Sequence, residues 1–450
     1  MVQNIKETIK NTKKHLRKQA LHTILEQFDH HVMRLSKTDR RAKYDKMKQN
    51  PYSFFRGSTY LFYYDVTKIP FSHHTDENKP TWIMGDLHFD NFSGFQNENQ
   101  DIVFDVDDFD EGYVGSYLYD VLRMVVSIRL LANQQGFIEE DQDSLVKTYL
   151  KTYYKQLKKF AEGEKNPVTT KYTTDNTKGP INKTLKKLEE RKASHELDKQ
   201  TTVDENGERK FNRENTKLGA VSNNEYREIC KVWNQYIESL SEKTFQGIDH
   251  YVIKDIVKKN GAGIGSTGLK RFYILIEGQH DNEHHDDIIL EAKEARTPVP
   301  GYFCPYNEEF WNTFNHQGKR VITTQQAMHH EADPYLGYFT MQNREFYVRE
   351  RSPYEKDIKE KDLQEFKDVK QTIKTMAKIS AKIHARADED IKHGLLDYHS
   401  EKEILKAIGE DKDGFKKEMI TWSKFYQERV EEDYLLFNEW LEEYFYKKKN

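Results

Sequence analysis

The pattern of hydrophobic and polar positions divides the chain into helical ends and a strand-rich centre. Apolar residues recur at steps of three and four between Leu16 and Phe28, which predicts an amphipathic helix with a basic outer face. Residues 116–132 predict a largely buried helix, and 363–387 and 400–447 are helical by period. Strand-like runs lie at 271–277, 288–293 and 346–349. The pattern predicts an α+β fold in which helices flank a small antiparallel sheet.

Composition narrows the class of protein. Aromatic residues make up 13% of the 450 residues. Disordered chains are poor in aromatic residues, so we do not expect the whole chain to be disordered. The net charge of −4 excludes a globally basic nucleic-acid binder, so nucleic acid is not an expected partner. Cys230 and Cys304 are too few for a disulfide framework and fit a reducing compartment. Neither a secretory signal nor a membrane-spanning run is recognisable, so we expect a cytoplasmic protein.

The small net charge averages regions of opposite charge. Residues 1–50 hold thirteen Lys or Arg and five Asp or Glu. Residues 151–217 hold seventeen basic and eleven acidic residues, which predicts a mobile Lys-rich insertion with a helical piece near 181–199. Between them, Gly85–Glu111 carries nine acidic residues and no Lys or Arg. Such density is tolerable on a solvated face, or where a cation lies among the carboxylates.

The acidic window has a spacing that suits metal-dependent chemistry. Asp86 follows an apolar run, Asn91 lies five residues later, and Asp105 follows a second apolar run. Phosphoryl transfer with Mg²⁺ needs one carboxylate to orient the acceptor hydroxyl and take its proton. It also needs an amide and a second carboxylate to supply oxygen ligands. Phenylalanines interleaved with the acids favour a semi-buried loop over a solvated tail.

A glycine-rich loop and a lysine form the second candidate site. The loop residues that could face phosphate are Gly261, Gly263, Gly265, Ser266, Thr267 and Gly268. A strand run follows the glycines, so a dinucleotide fold, which needs a helix there, is set aside. Lys293 ends the next strand run and could neutralise phosphates, and Arg296 is a second cation close by that could touch phosphate or pair with Glu294. A surface strand lysine is the plainer alternative for Lys293.

The segments GDLHFDN and FDVDDFDEGYVGSYLYDVLR resemble the catalytic loop and metal-binding segment of aminoglycoside phosphotransferases and choline kinases, a branch of the protein-kinase-like enzymes. The resemblance implies ATP and Mg²⁺ as cofactors. By this resemblance Asp86 is the catalytic aspartate, and Asn91 and Asp105 bind the metal. Asp120 braces the catalytic loop, and His88 matches the second histidine of the family's motif. Asp107 or Asp108 could hold the metal instead of Asp105.

The order of the motifs differs from that of ordinary kinases, because the catalytic-loop match precedes the glycine loop. The run MAKISAKIHARADE at 376–389 resembles the helix directly before the catalytic loop in the same branch. Read cyclically, the motifs follow kinase order, so the resemblance implies a circularly permuted, two-lobed protein-kinase-like fold. His384 and Arg386 are structural or phosphate-facing. The expected helix glutamate for Lys293 is missing from 319–331, where only Glu331 ends the run.

The whole chain also resembles a bacterial domain family without an established substrate, through PYSFFRGSTYLFYYD, GDLHFDNF, GAGIGSTG, LEAKEAR, DPYLGYF and KIHARA. Arg56 in the FFRG element could hold an anion or pair with a carboxylate. The resemblances imply four segments. They are a basic helical segment at 1–50, the catalytic-loop part of a helical lobe at 51–245, a nucleotide-binding sheet lobe at 246–350 and a carboxyl-terminal helical part at 351–450.

The function that these features predict is ATP- and Mg²⁺-dependent phosphotransfer to an acceptor that the sequence does not identify, either a small molecule or a protein. Three alternatives stay open. They are a nucleotide-binding pseudokinase or regulator without turnover, an AMP transferase on the same fold, and a non-kinase protein with an acidic cation site.

Overall fold

The computed structural model describes residues 2–205, 207–261, 263–265, 267–278, 286–391 and 395–446. Its helices are α1 (Val2–Leu25), α2 (Lys37–Met47), α3 (Pro51–Gly57), α4 (Thr59–Val66), α5 (Leu118–Gln134), α6 (Glu139–Ala161), α7 (Gly179–Glu189), α8 (His195–Gln200), α9 (Asn223–Glu238), α10 (Glu308–Thr313), α11 (Gln317–Met328), α12 (Phe366–Arg386), α13 (Ser400–Ile408) and α14 (Lys412–Trp440). Turns of π-helix follow α1 at Glu26–Val32 and α14 at Leu441–Phe445.

The strands are short and antiparallel. They are β1 (Thr81–Ile83), β2 (Phe92–Gln96), β3 (Ile102–Val106), β4 (Tyr113–Gly115), β5 (Thr201–Val203), β6 (Arg209–Phe211), β7 (Leu218–Gly219), β8 (Ile253–Lys259), β9 (Arg271–Ile276), β10 (Ile288–Ala295), β11 (Gly337–Met341), β12 (Arg344–Glu350) and β13 (Lys356–Asp357). The largest sheet has the order β11-β12-β10-β9-β8-β7. Smaller sheets pair β1 with β4, β5 with β6, and β13 with β2 and β3. The α+β class with small antiparallel sheets is therefore confirmed.

Three apolar cores form among the described residues. The largest packs helices α5, α6, α12 and α14 around the short strands β1–β4. The second fills one face of the largest sheet, where Trp233 and Tyr236 of α9 share a cluster with Phe272 and Phe339. The third is smaller and lies on the other face of that sheet, around Tyr273 of β9. Aromatic rings supply much of the first two cores, as a chain with few aliphatic residues requires.

The basic amino-terminal helix lies against the acidic carboxyl-terminal helix. Leu21 and Leu25 of α1 are buried, in agreement with the predicted apolar face. Arg17 donates to Asp65 and Asp433, and Lys18 pairs with Glu443. Part of the basic charge of residues 1–50 is thus balanced by carboxylates within the fold.

The Lys-rich insertion is packed, which differs from the mobile segment that its composition predicts. Within the predicted range 181–199, α7 ends at Glu189 and α8 begins at His195. Ile181, Leu185 and Leu188 of α7 are fully buried, and the helix packs on β2, β3 and α12. Three apolar residues on one helical face are enough to anchor a segment whose other positions are polar. In the part of the chain that the structure describes, no helix has the length and apolarity needed to cross a membrane.

Candidate active site

A cleft of about 110 Å³ separates the acidic window from the glycine loop. Its acidic wall includes Asp86, Asn91, Asp108, Asp110 and Glu111. Its other walls include Arg56, Gly263, Gly265, Glu294 and Arg296. Segments about 170 residues apart along the chain therefore meet at one small polar cavity.

Asp120 on α5 fixes the loop that carries Asp86. Its carboxylate accepts the backbone N–H groups of Met84 at 2.7 Å and Gly85 at 3.0 Å. His384 of α12 lies 3.1 Å from the same carboxylate, and Tyr153 lies 2.7 Å from the other ring nitrogen of His384. All these side chains are fully buried. Asp120 thus occupies the bracing position, and His384 supports it from behind.

Gly85 is required by the shape of this loop. Its φ is +77°, a conformation that disfavours residues with a side chain. A Cβ atom at Gly85 would overlap the backbone carbonyl of Glu111. The loop can therefore approach the segment around Glu111 closely only with glycine here.

Asp86, whose side chain is 21% exposed, pairs with the fully buried Arg123 of α5. Arg123 donates to Asp86 and to Thr59 Oγ1 at 2.9 Å, and Thr59 Oγ1 donates to Asp86 at 3.1 Å. The guanidinium also lies 4.3 Å from the ring centre of Phe55. Burial raises the pKa of the Asp86 carboxyl to about 6, although Arg123 opposes the rise. A carboxyl with this pKa can accept a proton near neutral pH.

His88 and Asn91 complete the loop. Asn91 Oδ1 accepts the backbone N–H of His88 at 2.8 Å, and the Asn91 carbonyl accepts the N–H of Asp107 at 3.0 Å. Burial, with the Arg56 guanidinium nearby, holds the pKa of His88 well below its usual range, so the imidazole is neutral. Both side chains line the cleft.

Asp108, Asp110 and Glu111 are the carboxylates of the segment after β3 that reach the cleft. Lys293 of β10 pairs with Asp110. Burial and the neighbouring Asp110 carboxylate raise the pKa of Asp108. Burial works against ionisation of Asp110, but Lys293 lowers the pKa of that group below its ordinary value. Lys293 forms its ion pair with Asp110, and Asp108 has no ion pair of its own among the described residues.

Asp105 and Asp107 do not line the cleft, which departs from the predicted metal set. Asp105 is buried on β3 and pairs with the fully buried Lys382 of α12, behind the loop. Asp107 lines a neighbouring cavity of about 50 Å³ with Arg349 and Glu355. Residues alternate sides along a strand, so Asp105 on β3 points away from the cleft and the turn after β3 brings Asp108 into it. Of the three aspartates left open by the sequence, the geometry favours Asp108.

The glycine loop connects β8 to β9, as its predicted position before a strand requires. Gly261 and Gly268 have φ near +74° and +80°. The Thr267 hydroxyl donates to the carbonyls of Gly263 at 3.0 Å and Ile264 at 3.1 Å, so it stabilises the loop rather than facing the cleft. Ser266, the other predicted hydroxyl, lies outside the described residues.

The substitution Gly57→Ala is expected to disturb the packing of α3 against α2 and the glycine loop. A Cβ atom at Gly57 of α3 would lie 2.4 Å from Met47 Cγ and 2.6 Å from Ile264 Cγ2. Overpacking of this kind costs about 1–3 kcal/mol. Denaturant unfolding measures the loss, and Gly265→Ala is the control because nothing lies within 4 Å of its added methyl group. Equal stability of the two variants would contradict this packing.

The remaining cationic candidates divide between the cleft and the scaffold. Arg56 donates to Asp90 at 2.7 Å, which is the carboxylate pairing left open by the sequence. Arg296 donates to the Met33 carbonyl at 2.7 Å and lies 3.6 Å from Glu294. Arg386 donates to the carbonyls of Gln326 and Ala327 at the end of α11, so it caps that helix.

Three residues that the sequence analysis did not single out form ion pairs with residues that it did. Arg123 pairs with Asp86, Asp110 pairs with Lys293, and Lys382 pairs with Asp105 away from the cleft. Arg123 and Lys382 each interrupt an apolar helical run, and a charged residue at such a position must find a partner. That signal is visible in the sequence, although it does not identify the partner.

Residues 35–440 match a family described as "Uncharacterized protein conserved in bacteria (DUF2252)". The chain therefore belongs to this bacterial family, as its motifs predicted. No curated protein and no solved structure matches the chain.

Proposed function

We propose that the chain is an ATP- and Mg²⁺-dependent phosphotransferase with a circularly permuted, two-lobed protein-kinase-like fold. The observation that carries the proposal is the cleft itself. It brings Asp86, Asn91 and Asp108 of one segment against Gly263 and Gly265 of a loop far along the chain. Hard oxygen donors opposite a glycine-rich turn are what a metal–triphosphate complex needs.

The order of elements supports the permuted fold. The glycine loop joins β8 to β9, Lys293 lies on β10, and α11, β11 and β12 follow before α12. The catalytic loop, the β2–β3 hairpin and Asp108 then come from the amino-terminal part of the chain. Chain ends can be moved in this way when the new junctions lie at the surface.

The residues present fit Mg²⁺. Asn91 and Asp108 would hold the ion, and Asp110 is the neighbouring carboxylate. When bound, Mg²⁺ supplies positive charge to the nucleotide phosphates. Backbone N–H groups of the glycine loop would contact the phosphates, and Lys293 would add charge after leaving Asp110.

Asp86 acts on the acceptor. The acceptor oxygen forms a bond to the γ-phosphorus, the bond from that phosphorus to the β–γ bridging oxygen breaks, and ADP leaves. The acceptor proton passes to the Asp86 carboxylate. Arg123 and Thr59 hold that carboxylate in one orientation.

The cleft limits where the nucleotide can lie. Its volume of about 110 Å³ suits an ion and a phosphate group, whereas whole-ligand pockets span roughly 300–1,000 Å³. Strand β12 is paired with β10 on one side and β11 on the other as far as Val348, so the residues of β12 up to Val348 offer adenine no free backbone groups. The cleft therefore accommodates the phosphate end of the nucleotide rather than the whole ligand.

ATP labelled separately at the α- and γ-phosphates tests the reaction. Incubation with cell extract and Mg²⁺ should transfer the γ-label to an acceptor, and Asp86→Asn should transfer none. Transfer of the α-label would instead identify an AMP transferase. If the protein binds ATP but neither label appears in any product, the proposed phosphotransfer is wrong.

Turnover is expected to rise with pH through about 6 and to level off above it. Asp86 must be ionised to accept a proton, and burial raises its pKa to about 6. Burial also raises the pKa of Glu111, in the same cleft, to about 7. A pH profile of Glu111→Gln should keep the rise if Asp86 causes it. A profile that becomes flat in Glu111→Gln would assign the titration to Glu111.

A second function, nucleotide binding without turnover, is favoured by the pairing of Lys293. This lysine contacts Asp110 rather than a helix glutamate, and α11 places Arg320 near the same segment. ATP bound at the same affinity in wild type and Asp86→Asn, with no transfer in either, would support this alternative.

A further inference from the structure

A second cluster of metal-ligating side chains lies away from the cleft, between α12 and α13. Asp388 follows the end of α12, His399 precedes α13, and Glu401 is the second residue of α13. One potential ligand atom from each of the three lies within 4.8 Å of the others. Asp388 is fully buried and Glu401 is 3% exposed.

The histidine is arranged as a metal ligand would be. Its Nε2 lies 3.0 Å from Glu389 Oε1, so a proton on Nε2 is held by that carboxylate. Its Nδ1 is buried and makes no hydrogen bond. Ligating histidines commonly donate their second ring N–H to a carboxylate in this way, which leaves the other nitrogen with a free lone pair.

The carboxylates lack a compensating charge. Glu401 Oε2 is buried and makes no hydrogen bond. Asp388 accepts the backbone N–H groups of Asp390 at 3.1 Å and Ser400 at 2.6 Å, which fixes its orientation. Among the described residues, no Lys or Arg forms an ion pair with Asp388, Asp390 or Glu401.

We infer that Asp388, His399 and Glu401 form a binding site for a divalent transition-metal ion that joins α12 to α13. His399 Nδ1 lies 3.9 Å from Glu401 Oε1 and 3.8 Å from Asp390 Oδ1. Ligands at about 2.0–2.2 Å from one ion stand roughly 3–4 Å apart, so small side-chain rotations close the site. One imidazole with carboxylates suits Zn²⁺ or Mn²⁺ better than Mg²⁺.

The site has a structural role in this fold. Helix α12 carries His384, which supports Asp120, and Lys382, which pairs with Asp105. An ion at the end of α12 would fix that helix against α13 without contacting the cleft. The inference does not depend on the proposed phosphotransfer.

Equilibrium dialysis of the full chain, first stripped with a chelator, tests the site with Zn²⁺, Mn²⁺ and Mg²⁺ as separate probes. Wild type is expected to bind one Zn²⁺ or one Mn²⁺ there. His399→Gln and Glu401→Gln should weaken that binding by at least about 10-fold, and Glu389→Gln should weaken it by about 10–100-fold. Glu403→Gln, on the same helix and paired with Lys406, is the matched control and should bind as wild type does.

Two further measurements keep the inference falsifiable. Circular dichroism of each metal-free variant shows whether it folds. If Glu401→Gln does not fold, the test rests on His399→Gln, because His399 is partly exposed and its substitution should not disturb the core. Co²⁺ bound to wild type should give visible absorption bands that His399→Gln lacks. Asp108→Asn should keep the ion, which separates this site from the cleft. The inference would be overturned if His399→Gln and Glu401→Gln bound Zn²⁺ and Mn²⁺ with the affinity of wild type. It would also be overturned if wild type bound only Mg²⁺.

Discussion

The substitution Lys382→Met is expected to lower the free energy of unfolding by about 3–5 kcal/mol, because it leaves a buried carboxylate without its cation. Lys382 is fully buried and Asp105 is 6% exposed. Methionine fills the space of the aliphatic stem, so the loss reports the charge rather than a cavity. Urea unfolding of the purified chain measures the change.

Two further variants separate this pair from a general effect of α12. Lys378→Met changes a partly exposed lysine one turn earlier in the same helix and should alter stability by no more than about 0.5 kcal/mol. The double variant Asp105→Leu with Lys382→Met removes both charges and should recover most of the stability. A double variant as unstable as Lys382→Met would show that the pair is not the cause.

The local part of the site could be predicted from sequence because short segments determine it. Asp86 and Asn91 lie five residues apart in one loop, and the loop's shape follows from Gly85 and the strand before it. The glycine loop before a strand could be predicted for the same reason, whereas β8, the strand before the loop, was not predicted. Asp120 at the start of a buried helix was placed by resemblance, and its contacts to two backbone N–H groups fit that position.

Partners across the fold could not be predicted in the same way. The sequence offered no helix glutamate at 319–330 as a partner for Lys293. In the structure α11 presents Arg320 to the carbonyls of Asp110 and Gly112, and the lysine contacts Asp110. The pairing depends on how α11 packs against β12, which no local pattern reports. The packing of the insertion near α7 could not be predicted either. Its many lysines indicated a mobile segment, although three of its apolar residues are buried.

The choice among the aspartates of FDVDDFDE also depends on tertiary structure. Asp105 could not be separated from Asp107 or Asp108 by sequence, because all three follow the same apolar run. In the structure Asp105 on β3 faces Lys382 of α12, and the turn after β3 sets which carboxylate enters the cleft. Lys382, which lies 277 residues from Asp105 along the chain, donates a hydrogen bond to the Asp105 carboxylate.

The substitution Asp108→Asn is expected to weaken Mg²⁺-dependent ATP binding by at least about 10-fold, if Asp108 holds the ion as proposed. Asp107→Asn is the matched control, because Asp107 faces the neighbouring cavity and its loss should leave ATP affinity unchanged. Titration with a fluorescent ATP analogue, with Mg²⁺ and then with a chelator, measures both affinities. Without Mg²⁺, Asp108→Asn should bind at least as well as wild type, because it removes a negative charge that would repel the phosphates. Weakened binding in Asp107→Asn, together with wild-type binding in Asp108→Asn, would transfer the metal to Asp107 and contradict the cleft geometry.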